Sequence, residues 1–156
     1  MSDTQKVVVF QSGTEEYALP IENVISIEKL AKINPIPHLP NYVSGIVDIR
    51  NELVPVLDFE QILYGAASDL TDARMIVIQS ELLSFAVIVK EAKEILDVPN
   101  EAIKQVGLLA YSKTKYFTGV VHWEQRLITY VSPGILVKSL DGIKEIEAYL
   151  IESVEG

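Results

Sequence analysis

The chain repeats itself, and the repeat limits the folds open to it more than any other feature. Lys6-Val7-Val8-Val9-Phe10-Gln11-Ser12 aligns with Arg74-Met75-Ile76-Val77-Ile78-Gln79-Ser80, a shift of 68 from residue 6 to residue 74. The same shift lays Tyr17-Ala18 on Phe85-Ala86 and Ile27 on Ile95. Further on, Gly45-Ile46-Val47 aligns with Gly119-Val120-Val121, a shift of 74 from residue 45 to residue 119. Leu53-Val54 then falls on Leu127-Ile128, and Ile62-Leu63 on Leu136-Val137. The shift changes once, so the second half carries an insertion between Pro99 and Lys115. β-rich stretches slid freely past one another also produce partial matches. The shared Gln-Ser pair and the glycine before each second hairpin favour a true duplication.

Each copy reads as two strands, a connector, a hairpin and a helical turn. Lys6 to Gln11 and Glu16 to Ile21 are strands around the Ser12-Gly13-Thr14-Glu15 turn, and Val24, Ile25, Ile27 and Leu30 mark a further extended segment. Pro35, Pro37 and Pro40 exclude a helix or central strand, so an extended surface connection leads to the next hairpin. That hairpin runs from Gly45 to Ile49 and from Leu53 to Leu57 around Arg50-Asn51-Glu52, and Asn51 tolerates the positive φ of such a turn. Glu60 to Tyr64 reads as a helical turn.

In the second copy, Arg74 to Gln79 and Leu82 to Val89 are strands, Glu91 to Asp97 fits helix or strand, and a short helix is expected near Glu101 to Val106. Tyr116 to Trp123 and Leu127 to Val131 form the last hairpin around Glu124-Gln125-Arg126. Ser132-Pro133 starts a helix, and Ile143, Ile146, Tyr149, Leu150 and Val154 have the spacing of a C-terminal amphipathic helix. The expected fold is mainly β. Two small barrels of about five strands each, residues 6–70 and 71–138, share a core within one domain, and residues 139–156 form a helical tail.

Composition removes whole classes of function. A net charge of −9 with scattered Lys and Arg argues against nucleic acid as a partner. With no cysteine there is no disulfide framework and no thiolate zinc site. His38 and His122 lie in different halves without ligand-type partners at suitable spacing, so no metal or other cofactor is expected. No signal-peptide pattern opens the chain, and no apolar run approaches the roughly 18 residues that span a bilayer. A soluble cytoplasmic protein without direct membrane insertion is the expectation. Neither a nucleophile elbow nor a Gly-rich phosphate loop is present, and Asp48 with Asp58 is a weak acid/base pair, so an enzyme is not expected. Arg50, one cation at the tip of an apolar ribbon, is the first functional candidate; its bland alternative is a loosely paired surface arginine. Trp123 reads as core.

The segment from Pro37-His38-Leu39-Pro40 through Gly45-Ile46-Val47-Asp48-Ile49-Arg50-Asn51 to Val54-Pro55-Val56-Leu57-Asp58-Phe59 resembles the CheW family of chemotaxis coupling proteins. The resemblance extends over about Lys6 to Val137, taking in Glu16-Tyr17-Ala18-Leu19-Pro20-Ile21, Val24-Ile25-Ser26-Ile27, Phe85-Ala86-Val87-Ile88-Val89 and Tyr116-Phe117-Thr118-Gly119-Val120-Val121. It implies two SH3-like five-stranded barrels. It also implies a non-enzymatic adaptor joining the histidine kinase CheA, through that kinase's regulatory domain, to the cytoplasmic tips of methyl-accepting chemotaxis receptors, and recruitment to membrane receptor arrays. In such proteins a groove between the subdomains receives a receptor helix. The positions here that match receptor contacts are Val24, Gly45, Arg50 and Ile95.

The chain departs from the family pattern in having Asp48 for an asparagine, Asn51 for a glycine, Lys90 for an aspartate, and Ser26 where many relatives carry an acid. Asp48 and Glu52 are placed to compete for Arg50. The chain is also too short for the two-domain relative CheV, which carries a receiver domain. A CheW-fold adaptor in another kinase pathway, and a small-molecule-binding β-barrel, remain as alternatives. A surface apolar groove beside Arg50 would favour either adaptor, and a buried polar cavity the barrel.

Overall fold

In the computed structural model, which describes residues 3–81, 83–105, 116–146 and 148, the apolar runs that open each repeat become strands covered on both faces. They are β1 (Thr4–Ser12) and β6 (Arg74–Gln79). Val7 and Val9 enter one cluster with Leu96, Val98, Val121 and Ile128, whereas Val8 and Phe10 enter another. On β6, Met75 and Val77 join a third cluster with Val47, Val54 and Ile88, while Ile76 and Ile78 meet Val8 and Phe10 in the second. The two-residue period of a strand thus sends alternate side chains into different cores, which is why these runs are apolar without interruption.

The remaining elements are β2 (Glu15–Pro20), β3 (Val24–Lys29), β4 (Val43–Ile49), β5 (Glu52–Asp58), α1 (Phe59–Tyr64), β7 (Ser84–Val89), β8 (Glu91–Pro99), β9 (Ile103–Gln105), β10 (Phe117–Trp123), β11 (Arg126–Val131) and α2 (Pro133–Ser139). Asp58 caps α1 by accepting from the Gln61 N–H, and Ser132 caps α2 by accepting from the Ile135 N–H. Residues 91–97 are strand. Residues 100–102 make a single 3₁₀ turn before β9 in place of the expected short helix, whose last residue, Val106, lies outside the described residues. Residues 143–146 begin the expected C-terminal helix and bury Ile143 and Ile146; its later apolar positions, Tyr149, Leu150 and Val154, also lie outside the described residues.

The sheets do not divide the chain near residue 70. A six-stranded sheet has the order β8-β1-β2-β11-β10-β9, and a five-stranded sheet the order β3-β6-β7-β5-β4. Each half gives strands to both. β8 pairs with β1 as β3 pairs with β6, and β11 runs parallel to β2 as β5 runs parallel to β7. The registers repeat too: Val8 faces Ile95 where Ile76 faces Ile27, and Ala18 faces Tyr130 where Ala86 faces Val56. The expected units 6–70 and 71–138 are therefore repeats of sequence, and hydrogen bonding exchanges their strands. The cause is local. A 3₁₀ turn at Ile21–Asn23 carries the chain from β2 out of its sheet, and Lys90 alone separates β7 from β8.

The five-stranded sheet thus has the expected number of strands, and the six-stranded sheet adds a sixth, β9. The counterpart of β9 is a single bridge between Asn34 and Ile46. The shared core lies between the sheets. Phe10, Tyr17 and Val131 from one meet Leu57, Ile76 and Phe85 from the other, with Phe59 and Leu136 from the helices. Phe59 stands edge-on to Phe10 and Tyr17 at ring-centroid distances of 5.4 and 5.2 Å.

Candidate functional site

Arg50 and Asn51 form the whole of the turn between β4 and β5, since Ile49 already pairs with Glu52. Their φ angles of 53° and 70° are the two positive values of a type I′ hairpin turn, whose twist matches that of the flanking strands. Asp48 fixes this turn: its Oδ1 accepts a 2.9 Å hydrogen bond from the Asn51 N–H. The expected competition of Asp48 and Glu52 for the guanidinium is not realised. Among the described residues no ion pair engages Arg50, and its side chain is exposed.

The four matched positions differ in access. Ile95, on β8, is 57% exposed. Val24, at the start of β3, is half-buried and packs against the shared core, so only part of it is free to meet a partner. Gly45 is buried, and its role on the page is architectural. A Cβ there would stand 2.4 Å from the Asn34 carbonyl oxygen, and its φ of 149° is one that L side chains rarely adopt. The missing side chain lets residue 34 bridge to β4 and close the barrel. Gly119 repeats the device more loosely: its Cβ would lie 3.0 Å from the Lys104 carbonyl oxygen, on the strand pairing with β10.

Ile25 and Ile27 were not singled out in the sequence, yet they are 46% and 41% exposed on β3, an edge strand. The sequence pointed the other way: Ile25 and Ile27 alternate with Ser26 and Glu28 as a buried apolar face would, whereas β3 exposes Ile25, Ile27 and Lys29. Ile27 and Ile95 occupy equivalent positions in the two repeats, so edge strands β3 and β8 each show an isoleucine to solvent at the same register position. Two exposed β-branched residues on one edge strand are unusual for a surface that stays free. Trp123 is half-buried and packs on the cluster inside the six-stranded sheet, as read.

The second hairpin is held differently. Arg126 donates to both oxygens of Glu16, at 2.6 and 3.2 Å, and to both oxygens of Glu94 at 3.3 Å, tying β11 to β2 and β8. Hydrogen bonding to Arg126 holds the Glu16 carboxyl below its ordinary range, and the paired carboxylates push the Arg126 pKa up. The residues of this network are 110 and 32 positions apart, which no local pattern announces.

A 410 Å³ cleft opens to solvent among Pro20, Asn23, Glu81, Thr118, Tyr130 and Lys138. Its polar groups already serve the fold: Asn23 donates to the Gln79 carbonyl, and Tyr130 accepts a 2.6 Å bond from Gln5. It is not the buried polar cavity that a small-molecule barrel would need. No group of three or more metal-ligating side chains is assembled among the described residues.

Known proteins share this build. Chemotaxis protein CheW of Bacillus subtilis is 31% identical over 135 residues, covering 85% of this chain and 86% of that one. CheW of Rhizobium meliloti is 28% identical and covers 81% of this chain and 83% of its own. The crystal structure of the scaffolding protein TtCheW from Thermoanaerobacter tengcongensis shares the fold with a TM-score of 0.80 at 24% identity, covering 89% of this chain and 95% of that one. The model of the CheW-like domain matches residues 6–141, and the chain belongs to that family.

Proposed function

We propose that the chain is a non-enzymatic chemotaxis adaptor that couples methyl-accepting chemotaxis receptors to the histidine kinase CheA. Family membership over residues 6–141 supports the adaptor role. The observation that carries the site is Arg50, a cation at the tip of a rigid hairpin with no ion pair among the described residues. The exposed apolar positions Ile25, Ile27 and Ile95 supply the area that a receptor helix would cover, and the guanidinium supplies a directional contact. Val24 and Gly45 act from beneath, Val24 as the half-buried floor of β3 and Gly45 through the closure of the barrel that carries Arg50. The kinase's regulatory domain binds elsewhere on the barrels. No described helix is long and apolar enough to cross a membrane. The protein reaches membrane receptor arrays through the receptor.

The test is co-sedimentation with chemoreceptor membranes and a CheA-type kinase, with kinase activity measured in the pellet. Wild type is expected to enter the pellet and stimulate the kinase, and Arg50→Glu to lose both. Equal behaviour of the two proteins would move the receptor site away from Arg50. Failure of wild type to bind either partner would end the chemotaxis assignment.

A further inference from the structure

The pseudo-two-fold of the repeats should produce two equivalent polar tips, yet the charges break it. The first turn reads Arg50-Asn51-Glu52 and its counterpart Glu124-Gln125-Arg126, so the order of charge is inverted. Both turns place two non-glycine residues at positive φ: 53° and 70° in the first, 46° and 67° in the second. A left-handed conformation costs an L residue roughly 1–2 kcal/mol, so something must hold each turn. In the second turn the holder is Arg126, bound to Glu16 and Glu94, and the tip it leaves in solvent is the anion Glu124. In the first turn the holder is Asp48, which bonds to backbone and leaves the guanidinium of Arg50 unengaged among the described residues. His122 occupies the position equivalent to Asp48, and among the described residues no bond from it closes the second turn.

We propose that Asp48 is the positioning residue for Arg50: its hydrogen bond to the Asn51 amide keeps the turn in its left-handed form and so aims the guanidinium at the receptor. This rests on the reading of Arg50 as a receptor contact. Asp48 acts here as an acceptor, which an asparagine would also be, so the acid at this position preserves the turn and does not neutralise Arg50. The first hairpin alone is then the cationic half of the interface, and the second is a structural copy with its cation locked into the barrel.

The experiment compares wild type, Asp48→Asn, Asp48→Ala, Asp48→Ala/Asn51→Gly and Arg50→Glu. Receptor affinity is read by co-sedimentation, thermal stability by circular dichroism, and exchange of the Asn51 amide by NMR. Loss of one turn-closing bond is expected to weaken receptor binding about three- to tenfold in Asp48→Ala, with the Asn51 amide exchanging faster and the folded fraction unchanged at the assay temperature. Asp48→Asn is expected to bind as wild type. Asn51→Gly removes the left-handed penalty at that position and is expected to restore affinity in the Asp48→Ala background with the folded fraction unchanged in both proteins. Wild-type affinity in Asp48→Ala, or an Asp48→Asn variant as weak as Asp48→Ala, overturns the inference while Arg50→Glu still abolishes binding. Wild-type binding by Arg50→Glu overturns the receptor-site reading itself, and the inference with it.

Discussion

Replacing Gly45 by alanine separates architecture from contact at a position proposed for the receptor site. The added Cβ would meet the Asn34 carbonyl oxygen at 2.4 Å, its carbon at 2.9 Å and the Ile33 Cγ2 at 2.8 Å. Two of these atoms are backbone, so relief comes only if the segment before β4 moves. That segment is held by a reciprocal pair of 2.9 Å bonds, Asn34 N–H to Ile46 O and Ile46 N–H to Asn34 O. A shift large enough to clear the oxygen breaks both, at about 1 kcal/mol each. An L residue at the φ of this position adds about 1–2 kcal/mol, giving a total cost of about 3–4 kcal/mol. For a domain of this size that lowers Tm by roughly 6–16 °C.

Gly119→Ala is the internal control. Its Cβ would lie 3.0 Å from the Lys104 carbonyl oxygen and 3.2 Å from the Ile103 Cγ2, and its φ is not positive. A shift of a few tenths of an ångström suffices, at a cost of about 1 kcal/mol. Urea titrations of both variants, followed by circular dichroism with the slope m compared to wild type, measure the difference. A gap between the two below about 1 kcal/mol would refute the reasoning that Asn34 holds its place rigidly over Gly45. Receptor binding measured below both melting transitions then decides what Gly45 does. A folded Gly45→Ala protein that still binds shows that the residue supports the site from beneath.

The Arg126 network makes stability depend on acid. Glu16 has a folded pKa below its ordinary 4.5, so its contribution is present above that value and disappears as pH falls through the lower, folded one. Stability is therefore expected to drop as pH falls below about 4.5, and more gently in Glu16→Gln, measured as Tm against pH; parallel curves for the two proteins would remove this pair from the acid response. Truncation of Phe59, 1% exposed and ringed by Phe10 and Tyr17, is expected to cost about 3–5 kcal/mol. Because its cluster draws on both sheets, Phe59→Ala should still unfold in one transition by near- and far-ultraviolet circular dichroism. Two separated transitions would mean that the barrels fold independently.

How far the sequence can be read depends on whether the relevant physics is local. β-branched runs, the Ser132 cap and the first hairpin turn all act within a few residues and appear where the pattern places them, the turn shortened to Arg50-Asn51 because Glu52 pairs with Ile49. The repeat was legible as a repeat, and even its register survives in the strand pairs. Its partners were not. Nothing local decides whether Val8 faces Ile95 or a strand of its own half, because either pairing buries the same side chains. Likewise, Asp48 and Glu52 looked like competitors for Arg50 when only charge and spacing were counted. The backbone geometry of a two-residue turn turns the Asp48 carboxylate toward the Asn51 amide instead. Arg126 gave no warning at all, since its partners lie on strands that meet only after folding.

The exchange of strands also bears on what the site can transmit. The exposed isoleucines stand on β3 and β8, and each of these is an edge strand whose neighbour comes from the other half of the chain: β3 lies on β6, and β8 on β1. Those neighbours, β1 and β6, are the strands that bury both faces and place Val8, Phe10, Ile76 and Ile78 in the shared core. A partner pressing on Ile27 or Ile95 therefore acts through one strand pair on the layer common to both barrels. Neither barrel can shift alone without breaking pairs that cross between the halves. Arg50 stands apart from this path, at the tip of a hairpin anchored on a parallel pair with β7. In the proposed receptor site the apolar half thus lies at the junction of the barrels, and the cationic half on one of them. A scaffold that must hold a receptor and a kinase in fixed register gains more from that rigidity than from a hinge.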